Sequence, residues 1–174
     1  MMRALVLSFV VLAACPALAE DAPWILSQDG IGPVKIGMDY ELIERYLTTK
    51  LGYSPYENHG CSTVISKFLA PRGVTFTIDA KHLTRINVDY YGTDPRPLTI
   101  KTDAGIGLGS SEEDVLKAYP NARIKPLPAD PTWHTIFVDS PDLSKGLVFE
   151  TNGKTVKSMR GGANPAISLR NSCD

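Results

Sequence analysis

The residues best placed to do chemistry are a glycine-rich segment, Gly105 to Gly109, and the acidic run Glu112 to Asp114 that follows it. Glycines ahead of a helix can cradle a phosphate with backbone N–H groups. Here the spacing is not G-x-G-x-x-G, and no lysine followed by serine or threonine comes after the glycines. Three adjacent carboxylates would also repel an anion. The segment therefore predicts a tight turn before a helix, whose N-terminus favours acidic residues.

Histidines are the next candidates for catalysis or metal binding. His59, His82 and His134 are dispersed, and none has a second ligand at a familiar metal-binding spacing. The motifs G-x-S-x-G, H-E-x-x-H and S-x-x-K with its partner motifs are absent. We therefore expect no metal, no cofactor and no enzymatic activity. A hydrolase of an unrecognised type that acts on envelope material remains an alternative.

The start of the chain has the composition of a secretory signal. M-M-R precedes the apolar run Ala4 to Ala14 and then Ala17-Leu18-Ala19, so we expect residues 1–19 to be a signal peptide. The apolar run is 11 residues long, whereas a membrane-spanning helix needs about 20. Leu12-Ala13-Ala14-Cys15 also resembles a bacterial lipobox, so a lipoprotein anchored through Cys15 is the alternative. The sequence thus predicts a periplasmic or secreted protein.

The net charge and the cysteines of the chain restrict its expected partners and the roles of its thiols. Without residues 1–19 the chain has 17 basic and 19 acidic residues, a formal charge of −2, so nucleic acid is not an expected partner. Cys61 and Cys173 are then the two remaining cysteines, and after export we expect a disulfide between them rather than a nucleophilic Cys61. Its loop of 112 residues is worth about 4–5 kcal/mol in the chain-entropy model. It would hold the C-terminal tail against the first half of the chain.

Two helices and a set of alternating strands would position these residues. Asp39 is expected to cap a helix that runs to Leu51, and Ser111 with Asp114 forms a capping-box pattern for a second helix that ends before Pro120. The predicted strands are Cys61–Leu69, Val74–Asp79, Leu83–Tyr91, Trp133–Asp139, Gly146–Thr151 and Thr155–Arg160, with a possible lead strand at Leu98–Lys101 and a short strand at Trp24–Leu26. Their alternation predicts antiparallel sheets with one face exposed to solvent.

The two halves of the chain repeat one plan. Gly37 and Ile43 match Gly109 and Val115 at an offset of 72, and Gly73–Leu83 matches Gly146–Val156 at an offset of 73. We predict an α+β fold of two tandem units of about 73 residues, 24–97 and 98–174. Each unit is expected to contain a turn, a helix and an antiparallel meander of three or four strands.

This unit resembles a known family in layout. A turn, a helix and a meander repeated in an exported chain resemble the beta-lactamase-inhibitor-protein-like (BLIP-like) fold. Ile36 to Ile43, I-G-M-x-x-E-x-I, is similar to the helix start of SmpA/OmlA envelope lipoproteins, which contain one such unit. The resemblance implies a tandem α+β protein whose sheet face binds another protein. The bridge expected here departs from the inhibitor's disulfide pattern, so no inhibitory residue is carried over.

The solvent face of the sheets is the predicted binding surface, because exposed tyrosine, tryptophan and arginine often anchor protein interfaces. Five residues are proposed to contact a partner: Arg85, Asp89, Tyr91, Trp133 and Arg160. The leading hypothesis is a non-enzymatic binding protein that docks a protein partner, either an enzyme that it inhibits or an envelope-assembly component. The alternative is a binder of a small molecule or glycan between the two units.

Overall fold

The computed structural model describes residues 24–53, 60–67, 69–90, 100–170 and 173. The protein is α+β: helices α1 (Tyr40–Leu47) and α2 (Glu112–Ala118) accompany β-sheets that are mostly antiparallel. The strands are β1 (Ile25–Ser27), β2 (Gly30–Ile31), β3 (Val34–Lys35), β4 (Leu51–Tyr53), β5 (Cys61–Ser66), β6 (Val74–Asp79), β7 (His82–Asp89), β8 (Lys101–Thr102), β9 (Arg123–Leu127), β10 (Asp130–Asp139), β11 (Lys145–Thr151) and β12 (Val156–Ala163). No helix in the described ranges is long and apolar enough to cross a membrane.

One eight-stranded antiparallel sheet dominates the fold. Its order is β4-β5-β6-β7-β12-β11-β10-β9, so the first-half and second-half strands meet where β7 pairs with β12. The order reads the same outward from this junction in both directions. A smaller sheet, β3-β2-β1-β8, joins the two halves again because β8 pairs with β1 in parallel.

Both helices begin at the predicted caps. Asp39 accepts a hydrogen bond from the backbone N–H of Glu41 at 2.9 Å, and Ser111 and Asp114 form a reciprocal capping box. Ile43, Leu47 and Val115 face the core, where they join Phe76, Phe149 and other apolar residues of the large sheet. The helices thus cover the apolar face of that sheet, as the alternation predicts.

Some element boundaries differ from the sequence prediction. Helix α1 ends at Leu47 instead of Leu51, because Thr48 adopts a left-handed conformation with φ 49° and Leu51 starts strand β4. The segment Pro126 to Pro131, which reads as a proline-rich loop, belongs largely to strands β9 and β10. A proline is compatible with β9, because β9 is the edge strand of its sheet.

Residues 164–170 lie against the sheet on the side opposite the helices, and Cys173 is bonded to Cys61 of β5. We call residues 164–170 together with Cys173 the strap. A 3-10 helix, Ala166–Ser168, packs on β7, β11 and β12, and it buries Ile167 to 2% exposure. The predicted disulfide is confirmed: Cys61 and Cys173 are joined, with Cα atoms 5.6 Å apart.

The polar face of the large sheet is less exposed to solvent than the sequence predicts. The sequence predicts a face open to solvent, but Thr75, Thr77, Arg85 and Asn87 are each at most 6% exposed. That prediction is wrong for the first-half strands. Strand alternation predicts which side chains share a face. It does not predict that Arg85 contacts Ala166 and Leu169, which lie 81 and 84 residues further along the chain.

Candidate functional site

The register of the large sheet places three of the predicted binding residues, Arg85, Asp89 and Arg160, in three cross-strand rows on its polar face. Residues directly opposite each other in antiparallel strands share a face and contact one another. The first row is Thr75, Asn87, Arg160, Val148, Phe137 and Arg123; the second is Asp89, Ser158, Glu150, Thr135 and Lys125; the third is Thr77, Arg85, Gly162, Gly146 and Asp139. The rows run from the part under the strap towards the edge strand β9.

Arg85 connects the sheet to the strap. Its Nη1 donates to the carbonyl oxygens of Ala166 at 3.1 Å and Leu169 at 2.8 Å, while its Nε donates to Asn87 Oδ1 at 2.5 Å. Only 4% of Arg85 is exposed. The predicted partner-binding arginine is therefore engaged within its own chain.

Asn87 continues this polar network across β6 and β7. Its Nδ2 donates to Thr75 Oγ1 at 3.3 Å and Thr77 Oγ1 at 3.5 Å. Buried polar groups need such partners, since an unpaired donor or acceptor costs about 1–3 kcal/mol. The threonines and the asparagine thus satisfy one another's polar groups in a buried position beside Arg85.

Asp89, Glu150 and Arg160 form a charged cluster beside that network. Arg160 donates from Nη2 to Glu150 Oε1 at 2.9 Å, and Ser158 donates to Glu150 Oε2 at 3.2 Å. Burial, with added repulsion from Glu150, raises the pKa of Asp89 to about 6, despite the opposing attraction of Arg160 and Arg85. Among the described residues, the buried Nε of Arg160 has no hydrogen-bond acceptor. The ion pair between Arg160 and Glu150 lies within the cluster, and only 7% of Arg160 is exposed.

The uncovered part of the polar face lies on β9 and β10. The Cζ atom of Arg123 is 5.2 Å and the Nζ atom of Lys125 is 5.6 Å from the ring centre of Phe137. Both cations are exposed, and Phe137 is half-buried. Arg123 is also paired with Asp139 at 2.6 Å, which fixes its position. This pair of cations over an aromatic ring is the charged and aromatic surface of the sheet that remains accessible.

The structure brings together three of the five predicted partner-binding residues. Arg85, Asp89 and Arg160 lie on adjacent strands, but the two arginines are buried, so solvent exposure was predicted wrongly for them. Trp133 lies on β10, separated from β12 by β11, and is half-buried. Tyr91 lies outside the described residues.

Arg123, Lys125 and Phe137 were not singled out by the sequence prediction. The alternation of Arg123, Ile124 and Lys125 was the available signal, and Phe137 already fell in a predicted strand. Pro126 concealed the pattern, because proline usually interrupts strands.

A second polar cluster joins α2 to the sheet. The Nδ1 atom of His134 lies 2.9 Å from Glu112 Oε1, and Thr151 donates a short hydrogen bond to Glu112 Oε2. The carboxylate of Glu112 lies between the imidazole of His134 and the hydroxyl of Thr151. In a catalytic triad, by contrast, the histidine contacts the nucleophilic hydroxyl directly. This cluster holds the helix start against β10 and β11.

A cavity of about 660 Å³ lies between α1 and β5. Its lining includes two acids, Asp39 and Glu41, two bases, Arg45 and Lys81, and the apolar Ile78. Within the described part of the chain, no group of three histidine, cysteine, aspartate or glutamate side chains could hold a metal ion.

Comparison with known proteins assigns no family and no function to this site. No protein-family model, curated protein or solved structure is significantly similar to the chain.

Proposed function

We propose that this protein is an exported, non-enzymatic binding protein that docks a protein partner through the part of its sheet face that the strap leaves uncovered. The observation that carries the proposal is the placement of exposed Arg123 and Lys125 over Phe137. Cations that flank an aromatic ring can anchor an interface, because the ring buries apolar area while the cations pair with a partner's acids. Trp133, two residues before Thr135, extends this surface along β10.

A tandem architecture supports the proposal. The large sheet has the symmetric order β4-β5-β6-β7-β12-β11-β10-β9, as two four-stranded meanders joined at their last strands would give. We take these as two related units, 24–97 and 98–174, in a BLIP-like arrangement. In such an arrangement the uncovered part of the sheet face, on β9 and β10, is available to a partner, which we take to be an enzyme that the protein inhibits or an envelope-assembly component.

Export is part of the same proposal. Residues 1–19 lie outside the described residues, so their role as a signal peptide rests on their sequence. The Cys61–Cys173 disulfide is compatible with an oxidising compartment. We propose a periplasmic or secreted location, with a lipoprotein anchored at Cys15 as the alternative.

The test compares partner capture by matched variants. Mature protein, residues 20–174, with Lys125→Glu or Trp133→Ala should lose a partner that the wild type retains from periplasmic extract. Tyr46→Ala is the control, because Tyr46 is 52% exposed on α1, away from the proposed surface. The retained protein is identified by mass spectrometry, and its affinity is then measured with purified components. Equal affinity of all three variants would show that this face is not the interface.

The cavity beside α1 supports a second candidate function, the binding of a small molecule or glycan. Its two acidic and two basic side chains, together with Ile78, suit a ligand that carries both charges and an apolar part. A thermal-shift screen of such compounds against wild type and Arg45→Glu would test it. A stabilising ligand that acts equally on both proteins would not bind in this cavity.

A further inference from the structure

The outer edge of β9 is unpaired in the part of the chain that the structure describes. β9 is the last strand of the eight-stranded sheet, and it pairs there with β10 on its inner side. Four of its five residues, Arg123 to Pro126, are exposed. An edge strand of this kind presents backbone N–H and C=O groups with which another chain can pair.

Pro126 determines which backbone groups of β9 point outward. Pro126 is directly opposite His134 of β10, and it has no N–H to donate. Opposite residues in antiparallel strands alternate between pairs that exchange both hydrogen bonds and pairs that exchange none, so this pair is of the second kind. The next pair, Lys125 with Thr135, therefore exchanges both bonds, and the N–H and C=O of Ile124 point away from β10. The outer edge thus offers one donor and one acceptor at Ile124, and the carbonyl of Pro126.

The side chains of β9 differ between the two faces of the sheet. Arg123 and Lys125 lie on the polar face, above the ring of Phe137. Ile124 is on the helix side, opposite the fully buried Ile136, but is itself 44% exposed. The strand contains no acidic residue. The edge therefore combines two cations on one face with an uncovered apolar side chain on the other.

A strand added to this edge would need a specific pattern of side chains. The residue opposite Ile124 would exchange both backbone hydrogen bonds with it, and its side chain would lie on the helix side. An apolar side chain there would contact Ile124. The residues before and after it would fall on the polar face opposite Arg123 and Lys125, where carboxylates are favourable. The complementary sequence is therefore acidic, apolar, acidic.

A second copy of this chain does not fit the same edge. Antiparallel pairing of two β9 strands with Ile124 opposite Ile124 would place Arg123 of one copy opposite Lys125 of the other. A shift of the register that puts Ile124 opposite Pro126 would place the two Lys125 residues opposite each other. Like charges in directly opposite positions are destabilising, and lysine and proline commonly protect edge strands from self-association. Charge thus favours an acidic strand over a copy of β9.

We propose that β9 binds the protein partner by strand addition. An extended segment of the partner with the pattern acidic, apolar, acidic pairs with the outer edge of β9, so that its apolar residue contacts Ile124 and its carboxylates contact Arg123 and Lys125. Backbone hydrogen bonds supply affinity in this mode of binding, and the alternating side chains supply specificity. The inference rests on the proposed function, because it specifies how the partner contacts that surface.

The experiment titrates short peptides into isotope-labelled mature protein, residues 20–174, and follows backbone amides by nuclear magnetic resonance. The probe is acetyl-Thr-Glu-Val-Glu-Thr-amide. One control peptide has the same side chains but an N-methylated valine, which cannot donate to the carbonyl of Ile124. A second control has lysine in place of both glutamates and keeps every backbone group. The measured quantities are the dissociation constant and the hydrogen-exchange rate of the Ile124 amide.

The acidic peptide should bind, and at saturation it should slow exchange of the Ile124 amide by about fivefold or more. N-methylation should weaken binding by about fivefold or more, because it removes a backbone hydrogen bond. In Lys125→Glu the preference between the acidic and the lysine peptide should reverse, because the side chain opposite the peptide changes sign. Tyr46→Ala should bind the acidic peptide as the wild type does, since Tyr46 lies on α1.

Three results would overturn strand addition: no binding of the acidic peptide, equal affinity for the N-methylated peptide, or an unchanged exchange rate at Ile124. Sedimentation that shows a dimer of the wild type, lost in Ile124→Pro, would assign the edge to a second copy and would overturn it too. A captured partner that needs Lys125 but leaves Ile124 exchange unchanged would retain the proposed function and reject only the strand pairing. A partner bound equally by Lys125→Glu, alongside normal peptide binding, would instead reject the proposed function.

Discussion

Arg85 donates a hydrogen bond of 2.8 Å to the carbonyl oxygen of Leu169, a residue 84 positions later in the chain. This bond turns an arginine on the predicted binding face into an attachment for the C-terminal strap. The strap therefore lies on the buried half of the polar face, and the accessible half lies on β9 and β10.

Replacing Arg85 tests how much this attachment contributes to the free energy of unfolding. In Arg85→Met, the carbonyls of Ala166 and Leu169 lose a charged donor while the apolar stem is kept. Hydrogen bonds to charged groups contribute about 1.5–3 kcal/mol, so we expect a loss of that size in the free energy of unfolding, measured with urea. Arg123→Met is the matched control: its ion pair with Asp139 is at the surface and should contribute less than about 1 kcal/mol. Equal losses would contradict a special role for Arg85.

Removal of the disulfide should destabilise the protein. The bond joins residues 112 positions apart, so the chain-entropy model predicts that the Cys61→Ser, Cys173→Ser protein loses up to about 4–5 kcal/mol. Denaturant titrations of this variant and of wild type, each with and without dithiothreitol, measure the effect. The reductant should lower the midpoint of the wild type only. An identical midpoint for the oxidised wild type and the variant would refute the prediction.

Asp89 should make the protein less stable at neutral pH than in weak acid. Its pKa is about 6 in the folded protein and about 3.9 when unfolded. Between these values the folded state binds more protons, so the group's destabilising effect is absent below about pH 4 and complete above about pH 6. Asp89→Asn removes the charge and should stabilise the protein at pH 7.5 by at most about 3 kcal/mol. The gain should vanish at pH 4, as followed by urea unfolding.

The contribution of Asp142 to stability should depend on pH in the opposite direction to that of Asp89. Hydrogen bonds from Ser140 and Ser144 lower the pKa of Asp142 to about 2. Its stabilising contribution is present above about pH 4 and is lost as the pH falls towards 2. Asp142→Asn should therefore lower the melting temperature at pH 7.5 and have a smaller effect at pH 2.5. A stabilising effect of this variant at neutral pH would show that the assigned hydrogen bonds do not favour the carboxylate.

The N-terminal cap of α2 should contribute measurably to the free energy of unfolding. Ser111→Ala removes the acceptor for the Asp114 N–H, which is 3.0 Å from Ser111 Oγ. We expect a loss of about 1 kcal/mol in unfolding free energy. Glu113→Ala is the control, because Glu113 is exposed in the same helical turn and makes no described side-chain hydrogen bond. A loss no larger than that of the control would mean that the capping box is not stabilising.

Much of the local structure follows from short sequence signals. Asp39 and Ser111 mark the helix starts because their side chains accept backbone N–H groups, and Val74–Asp79 reads as a strand because its apolar residues alternate. Outside residues 1–19 the chain has two cysteines, and this count predicts the pairing of Cys61 with Cys173. These features depend on near neighbours in the chain or on a single possible partner.

The composition of the site was predicted less well. Alternation places Arg85, Asp89 and Arg160 on one face, and the structure brings them together across β7 and β12. It does not reveal that Arg85 is covered, because the covering atoms belong to Ala166 and Leu169. Nor does it reveal Arg123 and Lys125, since Pro126 hides an edge strand.

The sequence by itself determined the helix caps, the principal strands and the disulfide, because each depends on local backbone chemistry or on cysteine number. The tertiary structure decided which half of the polar face remains accessible. That outcome depends on the pairing of β7 with β12 and on a tail that returns to β5. Contacts between residues so far apart in the chain leave no periodic signal, so only the folded chain shows them.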